Sequence, residues 1–483
     1  MPKKLLINAA GITFDFTNLY GAGKVADKDI AKIEEKAKKA HQAVQNMYKT
    51  GYTRDDLKDD EPNWFCQLPF IEEGKPNSPA AMRRLQEFSS SVRDNVNAVI
   101  SFGTGGSYLG NKVLFSVGCH DYWNFGEAQE RDGYPRLYFS GHNIDGCNST
   151  FLLREVLRQA KEFYQQRCKP YKVMLMPISK SGSTLEPLAC FMWFLSELQQ
   201  HEDIVTVEVV AVTAPKTEAK ETLLYSLARK NNWQLFFVPE GVGGRFSVFS
   251  QAGLATAAAI GLDIDDFLAG AKDMAQACQS ADMFENVAFL NAVLKYLAAE
   301  NYGRDIEVFM PYSSRLKSLS EWYVQLLAES LGKAQDRDGN TVHYGRTPLS
   351  AVGTTDMHAQ TQQHQEGKLD KVVQFVKIEN WPLNPFVPDI FPDQPLLNEL
   401  SGVPFDKIMN SALEANAAAL TSNSRFNASF NLPELNLYYL GALMYMLALS
   451  VVYEGELANV NAFNQPGVET YKKLLKELLK KFK

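Results

Sequence analysis

The sequence predicts an α/β protein built on two doubly wound parallel sheets, with a helical N-terminal arm and a C-terminal helix. Three observations carry that expectation. From about Asn95 onward, short apolar and β-branched runs alternate with helical segments, the pattern of a parallel sheet covered by helices on both faces. A second series of such runs follows a helix-rich stretch, Ser247 to Gly303, which is expected to hold the boundary between them. At 483 residues the chain is too long for one small core and suits two or three domains. The division read from these changes is 1–74 for the arm, packed on the second domain, 75–262 and 263–465 for the two α/β domains, and 466–483 for the last helix.

Taken in order, the arm reads as mostly helical. Asp27 to Met47, rich in Lys and Glu, is expected to be a solvated helix, and Asp55 to Glu61 an acidic loop. The strands of the first series are Asn97 to Phe102, Leu137 to Phe139, Tyr171 to Ile178, Val207 to Val212 and Leu235 to Val238. Ile306 to Met310 and Lys371 to Ile378 are the clearest of the second. Leu435 to Tyr453 carries no charge, over a length close to the ~20 apolar residues that span a bilayer. It also holds Asn436, Gly441, Ser450 and several tyrosines, and Asn431-Leu432-Pro433-Glu434 before it reads as a helix start, so a central core helix is expected. Val468 to Lys483 reads as a basic amphipathic helix.

Bulk properties narrow the function. At 45% hydrophobic and 22% charged, without low-complexity tracts, the composition is that of a soluble globular protein. A formal net charge of -7 argues against a sequence-general nucleic-acid binder, so an anion site has to be positive locally and its ligand small. The six cysteines, Cys66, Cys119, Cys147, Cys168, Cys190 and Cys278, stand singly, without the Cys-x-x-Cys pairs of zinc or redox sites. Free thiols in a reducing compartment are expected. The N-terminal apolar run is too short for a signal peptide, and the protein reads as cytoplasmic, with no membrane and no nucleic-acid partner.

In open parallel sheets ligands collect at the carboxyl ends of the strands, and several chemical candidates fall just after strands. Ser179-Lys180-Ser181-Gly182-Ser183-Thr184 lies between a strand-like run and the helix-like run Leu185 to Leu198. Hydroxyls and a permissive glycine at a helix N-terminus direct O–H and unpaired N–H groups to one spot, where the helix dipole favours an anion by ~0.3–1 kcal/mol. The segment lacks the spacing of a nucleotide-binding P-loop, so a compact phosphomonoester is the better ligand. A polar turn capping an ordinary helix has the same composition. Gly103-Thr104-Gly105-Gly106-Ser107-Tyr108 forms a second glycine-rich turn, which lacks the third glycine of the dinucleotide pattern. Two such turns in one sheet suggest one ligand gripped from both sides.

Other segments stay open on pattern alone. In Gly241-Val242-Gly243-Gly244-Arg245-Phe246-Ser247 adjacent glycines permit close backbone approach and the arginine offers fixed donors to an oxyanion; a flexible turn with a solvated arginine fits equally. On the helix Ser318 to Leu331, Glu329 follows Gln325 by one turn beside an apolar stripe, as a general base or as a solvated carboxylate. Of seven histidines, His358 and His364 lie close together in a polar, loop-like stretch, without the spacing of a metal pair, and no metal site is expected. Gln465 and Lys472 sit in a turn leading into the last helix.

Taken together these segments resemble the phosphoglucose isomerase family, built from two sugar-isomerase domains. Six blocks match in order: Gly105-Gly106-Ser107-Tyr108-Leu109-Gly110, Ser179 to Thr184, Val242 to Ser247, Ala328 to Lys333, the His358 loop, and Asn464 to Lys473. The resemblance implies reversible isomerisation of glucose 6-phosphate and fructose 6-phosphate through ring opening and a cis-enediol, with no cofactor. It implies that Glu329 is the base, that His358 and Lys472 open the ring, and that Arg245 stabilises the enediol oxygens with Gly244 allowing close approach. Ser179, Lys180, Ser181 and Thr184 match the phosphate loop, and Gly106, Ser107, Gln325 and Gln465 match further substrate contacts. It also implies a homodimer in which His358 completes the site of the other subunit. Phe102-Gly103-Thr104-Gly105 and Ser183 depart from the commoner family residues, which bears on sugar preference. A sugar-phosphate sensor on the same fold, or an isomerase of mannose 6-phosphate or an amino-sugar phosphate, remains open.

Overall fold

The structure, a computed structural model, describes residues 5–54 and 62–482. The expected acidic loop Asp55 to Glu61 therefore lies outside the described residues. The chain is α/β, with two large sheets and helices between their strands. It divides into two compact units, one formed by Met47–Lys272 with Asn436–Gly441, the other by Met1–Asn46, Asp273–Leu435 and Ala442–Lys483.

The described chain begins with strands, where the sequence suggests a helical arm. β1 (Leu6–Ala9) and β2 (Ile12–Asp15) pair antiparallel, with Leu6 opposite Asp15. Ala10 and Gly11 between them have φ of 47° and 77°, the positive values a two-residue hairpin turn needs. Ile7, Ala9, Ile12 and Phe14 are buried, a period of two that a helix cannot hold on one face. Helices follow at Asp27–Lys32 and Glu34–Thr50. Ala37, Ala40, Val44 and Met47 are buried along the second, so this Lys/Glu-rich stretch is amphipathic and not simply solvated.

The unit containing Met47–Lys272 holds β3 (Ala98–Phe102), β4 (Arg136–Ser140), β5 (Tyr171–Ser179), β6 (Val205–Thr213) and β7 (Gln234–Phe237). All pair in parallel, in the order β4-β3-β5-β6-β7. Every residue of β3 is buried, as a strand covered on both faces requires. Ile100, Phe102, Val173 and Leu175 pack with Phe191, Phe194 and Leu198 of the helix Leu185–Gln199. Each such burial is worth ~1.5–3 kcal/mol, which holds that helix and the turn before it against the sheet. β4 lies on one side of β3 and β5 on the other, and this reversal opens a crevice at the carboxyl ends of β3 and β5.

The other unit holds β8 (Ile306–Pro311), β9 (Lys333–Gln335), β10 (Thr341–Tyr344), β11 (Thr347–Ser350), β12 (Lys371–Asn380) and β13 (Phe426–Glu434). Its large sheet runs β1-β2-β13-β12-β8-β11, parallel from β13 to β11, while β9 and β10 form a separate antiparallel ribbon. Asn431 to Glu434, read from sequence as a helix start, is the end of β13. Pro433 is tolerated because β2 pairs with β13 only from Ser429 to Asn431, leaving that edge unpaired at the proline. The helix Leu437–Leu457 starts after Asn436, whose Oδ1 accepts from the Tyr439 N–H at 2.9 Å. Its most apolar window is 83% buried, the environment of a core helix.

A cluster of buried charges ties this unit together. Lys295 Nζ donates to Glu307 Oε1 at 3.2 Å and to Tyr323 Oη at 2.7 Å, and Tyr323 Oη donates to Glu307 Oε1 at 2.7 Å. Arg346 grips Glu454 with Nε at 2.6 Å and Nη2 at 2.7 Å, and donates to Glu307 Oε2 through Nη1. None of these four charged side chains exceeds 1% exposure. Burial pushes the Glu307 carboxyl upward, but Lys295 and Arg346 outweigh it and hold the group down at about 2. Tyr323 belongs to the helix Lys317–Leu331, so this cluster fixes the helix that carries Gln325 and Glu329.

Candidate active site

At the end of β5 the chain builds a hydroxyl cluster. Ser179 Oγ lies 2.8 Å from Thr184 Oγ1 and 3.4 Å from Ser181 Oγ, and Ser181 Oγ lies 3.3 Å from Thr184 Oγ1. The Gly182 N–H donates to Ser179 Oγ at 3.1 Å. Gly182 has φ of +66°, and a Cβ there would fall 2.6 Å from Thr222 Cβ, so the tight return of the loop requires glycine. Thr184 stands at the N-cap of the helix Leu185–Gln199, and its side chain makes no capping bond to that helix. Clustered hydroxyls and the first N–H groups of a helix therefore share one small volume, with Lys180 in the same loop.

β3 is hydrogen-bonded to β5 with Phe102 opposite Pro177, so the turn after β3 opens on the same edge. Gly106 begins the helix Gly106–Gly118, and Ser107 follows it. A Cβ on Gly106 would lie 1.9 Å from the Gly244 carbonyl oxygen and 2.6 Å from the Arg245 nitrogen. The Gly243-Gly244-Arg245 segment thus rests directly on the backbone of the glycine-rich turn. Asn111 Nδ2 holds the arrangement by donating to the Ser107 carbonyl at 2.8 Å and to the Ala252 carbonyl at 3.0 Å. Arg245 is 2% exposed, with its guanidinium 5.4 Å from the centre of the Phe246 ring. The segment is backed by residues the sequence pattern did not single out. A Cβ on Gly241, at φ of +73°, would fall 1.5 Å from the Pro62 carbonyl, and the Phe65 ring lies 4.8 Å from Phe246. This unit therefore brings Gly106, Ser107, Gly244 and Arg245 into contact, on the sheet edge that also carries Ser179 to Thr184.

In the other unit, Gln325 Nε2 donates to Glu329 Oε1 at 3.1 Å. Gln325 Oε1 is buried and has no hydrogen-bond donor among the described residues. Such an atom costs ~1–3 kcal/mol unless a further group pairs with it, as a sugar hydroxyl can. Lys333 Nζ closes the helix end by donating to the carbonyls of Glu329 at 2.6 Å and Ser330 at 2.9 Å.

The helix Lys317–Leu331 runs from the carboxyl end of the sheet toward its amino end. Ser320 Oγ meets Ser350 Oγ at 2.6 Å, where β11 finishes, and Tyr323 meets Glu307, near the start of β8. Glu329 is six residues further, about 9 Å along the helix. His358 leaves the opposite edge. It lies in the first turn of the helix Met357–Glu366, just past the end of β11, and not in the loop the sequence suggests. His358 and Glu329 of one chain thus stand at opposite ends of the same strands.

His364, further along that helix, is buried. Burial and the charges of Lys371 and Arg425 lower its basicity. Gln465 precedes the short turn Pro466–Val468 and is exposed. Lys472, on the helix Glu469–Leu479, pairs with Glu469 at 2.9 Å.

The sequence model of one protein family, described as phosphoglucose isomerase, matches residues 82–483. The chain is similar to a protein named glucose-6-phosphate isomerase from Rubrobacter xylanophilus, 32% identical over 466 residues, which cover 96% of this chain and 97% of that one. It is similar to another of that name from Carboxydothermus hydrogenoformans, 32% identical over 86% of this chain and 84% of the relative. Among solved structures, a hypothetical protein from Thermus thermophilus superposes with a TM-score of 0.77 over 94% of this chain and 96% of that chain, at 29% identity.

Proposed function

The chain belongs to the phosphoglucose isomerase family, and from that premise we propose that it is an aldose-ketose isomerase which interconverts glucose 6-phosphate and fructose 6-phosphate through an enediol. The observation that carries the reading is the hydroxyl cluster of Ser179, Ser181 and Thr184 on the strand beside the Gly106–Arg245 contact. Ser179, Lys180, Ser181 and Thr184 hold the phosphate, the remote handle whose binding energy fixes the reacting carbons. His358 and Lys472 move the proton between the anomeric hydroxyl and the ring oxygen, which opens the sugar. Glu329 then takes the proton from C2; the C2–H electron pair becomes the C1–C2 double bond of the enediol while the C1–O1 π pair moves onto O1, and the O2 hydroxyl passes its proton to O1 as C2 becomes the ketone. The same carboxyl returns the proton to C1, so hydrogen stays within the substrate and no external oxidant is called on. Arg245, with Gly244 beside it, stabilises charge on the enediol oxygens. Gly106, Ser107, Gln325 and Gln465 bind the sugar.

The enzyme works as a homodimer in which His358 serves the site of the other subunit. Two observations support this arrangement. His358 and Glu329 of one chain lie at opposite ends of the same strands, so one chain's own pair is poorly placed to share a substrate. Leu383, Phe386, Ile390, Phe391, Leu396 and Phe405 are all more than half exposed within one short stretch, the apolar surface a second copy would cover. Among the described residues no cysteine forms a disulfide, which supports a reducing, cytoplasmic setting.

The test is conversion of fructose 6-phosphate to glucose 6-phosphate with chelator present, for the wild type and Glu329→Gln side by side. Activity that survives chelation and falls by ~10²–10⁴ with the substitution is expected for a carboxylate base. A wild type that binds the sugar phosphate without turning it over would replace this reading with a sensor.

A further inference from the structure

A histidine outside the residues considered so far stands beside both phosphate-type turns. β4 pairs with β3, Ser140 opposite Phe102, so the loop after β4 opens on the same edge as the turn after β3. His142 is the second residue of that loop. Its ring stacks on Tyr108, with centroids 4.2 Å apart and planes 11° apart, and Tyr108 directly follows Ser107. Tyr108 is in turn held edge-on by Phe139 at 5.5 Å.

On its other side the loop is tied to the hydroxyl cluster. Gly141 has φ of +72°, and a Cβ there would fall 2.7 Å from Pro187 Cα, in the first turn of the helix that Thr184 begins. The backbone before His142 therefore touches the phosphate-type helix while its ring lies on the glycine-rich helix. The imidazole remains exposed and makes no hydrogen bond to protein among the described residues. Stacking fixes the ring plane and leaves its nitrogen edges available.

We propose that His142 is a further substrate-contact residue, whose ring N–H donates a hydrogen bond to the phosphate group of the sugar phosphate from the β4 side. The proposal rests on the phosphosugar reading of the neighbouring turns. The Tyr108 ring covers one face of this imidazole, and that partial desolvation together with the charge of Lys112, one turn after Tyr108 on the same helix, lowers its basicity. A flat donor seated on an aromatic ring loses little side-chain freedom on binding, which makes the contact favourable for its size.

The experiment compares His142→Phe, which keeps a flat ring on Tyr108 and removes both nitrogens, with His142→Asn, which keeps a donor. The probe is inorganic phosphate, followed by calorimetric titration and as a competitive inhibitor of fructose 6-phosphate turnover. His142→Phe should weaken phosphate roughly ten- to hundredfold and raise KM by the same factor, with kcat within about twofold, the loss of one hydrogen bond to a charged group. His142→Asn should recover part of the affinity. Phosphate binding unchanged in His142→Phe would overturn the contact, as would a fall in kcat with phosphate affinity and KM intact. If the wild type binds phosphate but turns over no sugar, the isomerase reading fails while the titrations still judge His142.

Discussion

Replacing Gly106 by alanine tests whether the contact between the glycine-rich turn and the Arg245 segment sets the catalytic geometry. The added Cβ would lie 1.9 Å from the Gly244 carbonyl oxygen and 2.6 Å from the Arg245 nitrogen, whereas real Cβ atoms essentially never approach closer than 3.0 Å. Both opposing atoms are backbone, so no rotamer change relieves the clash, and the segment has to retreat by about 1 Å or more in a close-packed interior. Misplacing a catalytic group by that distance costs on the order of 10²-fold, and losing one oxyanion donor costs 10²–10³-fold. Gly106→Ala should therefore lower kcat by about 10²-fold. Phosphate affinity should stay within about threefold, because Ser179 to Thr184 rest on the neighbouring strand. Overpacking should also destabilise by ~1–3 kcal/mol, a fall of roughly 2–4 °C in melting temperature per kcal/mol.

Gly244→Ala is the paired control. Its Cβ would find only the Gly106 nitrogen, at 4.0 Å, so melting should be unchanged and any loss of activity reports closeness to substrate. Steady-state kinetics and thermal melts of the two variants decide the matter. A Gly106→Ala enzyme with wild-type kcat and melting temperature would refute the reasoning.

Three further outcomes are expected. Co-expressed His358→Ala and Glu329→Gln chains should regain about a quarter of wild-type activity if His358 acts across the dimer. Half the dimers are then mixed, and one of the two sites in each carries neither substitution; no recovery means the histidine acts within its own chain. Arg346→Met should cost ~3–5 kcal/mol in denaturant unfolding by leaving Glu307 and Glu454 under-compensated in the interior, and a loss below about 1 kcal/mol would contradict the buried cluster. The same cluster sets an acid limit. Glu307 is held at about 2 against an ordinary 4.5, so its contribution is complete above pH 4.5 and is lost as the pH falls toward 2. Arg346→Met should flatten that part of the stability curve, and equal slopes for the two proteins would count against it.

Much of the fold is legible because its signals are local. Val173 to Ile178, the hydroxyl-rich turn and the helix after it are contiguous in the chain, and each forms where its own composition favours it. The same holds for Ala98–Phe102 with its glycine turn, and for the helix that spaces Gln325 and Glu329 one turn apart. Distant pairing is a different matter. Leu6 to Asp15 alternate plainly once seen as strands, yet what makes them strands is the neighbour β13, with Ser429 opposite Asp15 at the far end of the chain. Pro433 reads as a helix start until the unpaired edge of β13 is known.

The sequence by itself determined which residue types follow which strands, and so the chemistry on offer: hydroxyls, two glycine turns, an arginine beside paired glycines and a helix-borne carboxylate. Only the tertiary structure decided that Gly106 bears on Gly244, that Arg245 is buried, that Lys295, Glu307, Arg346 and Glu454 neutralise one another in the interior, and that Glu329 and His358 stand at opposite ends of one sheet. The physical reason is range. Hydrogen bonds of turns and helices close over a few residues, whereas steric exclusion and charge compensation act between whatever surfaces packing brings together.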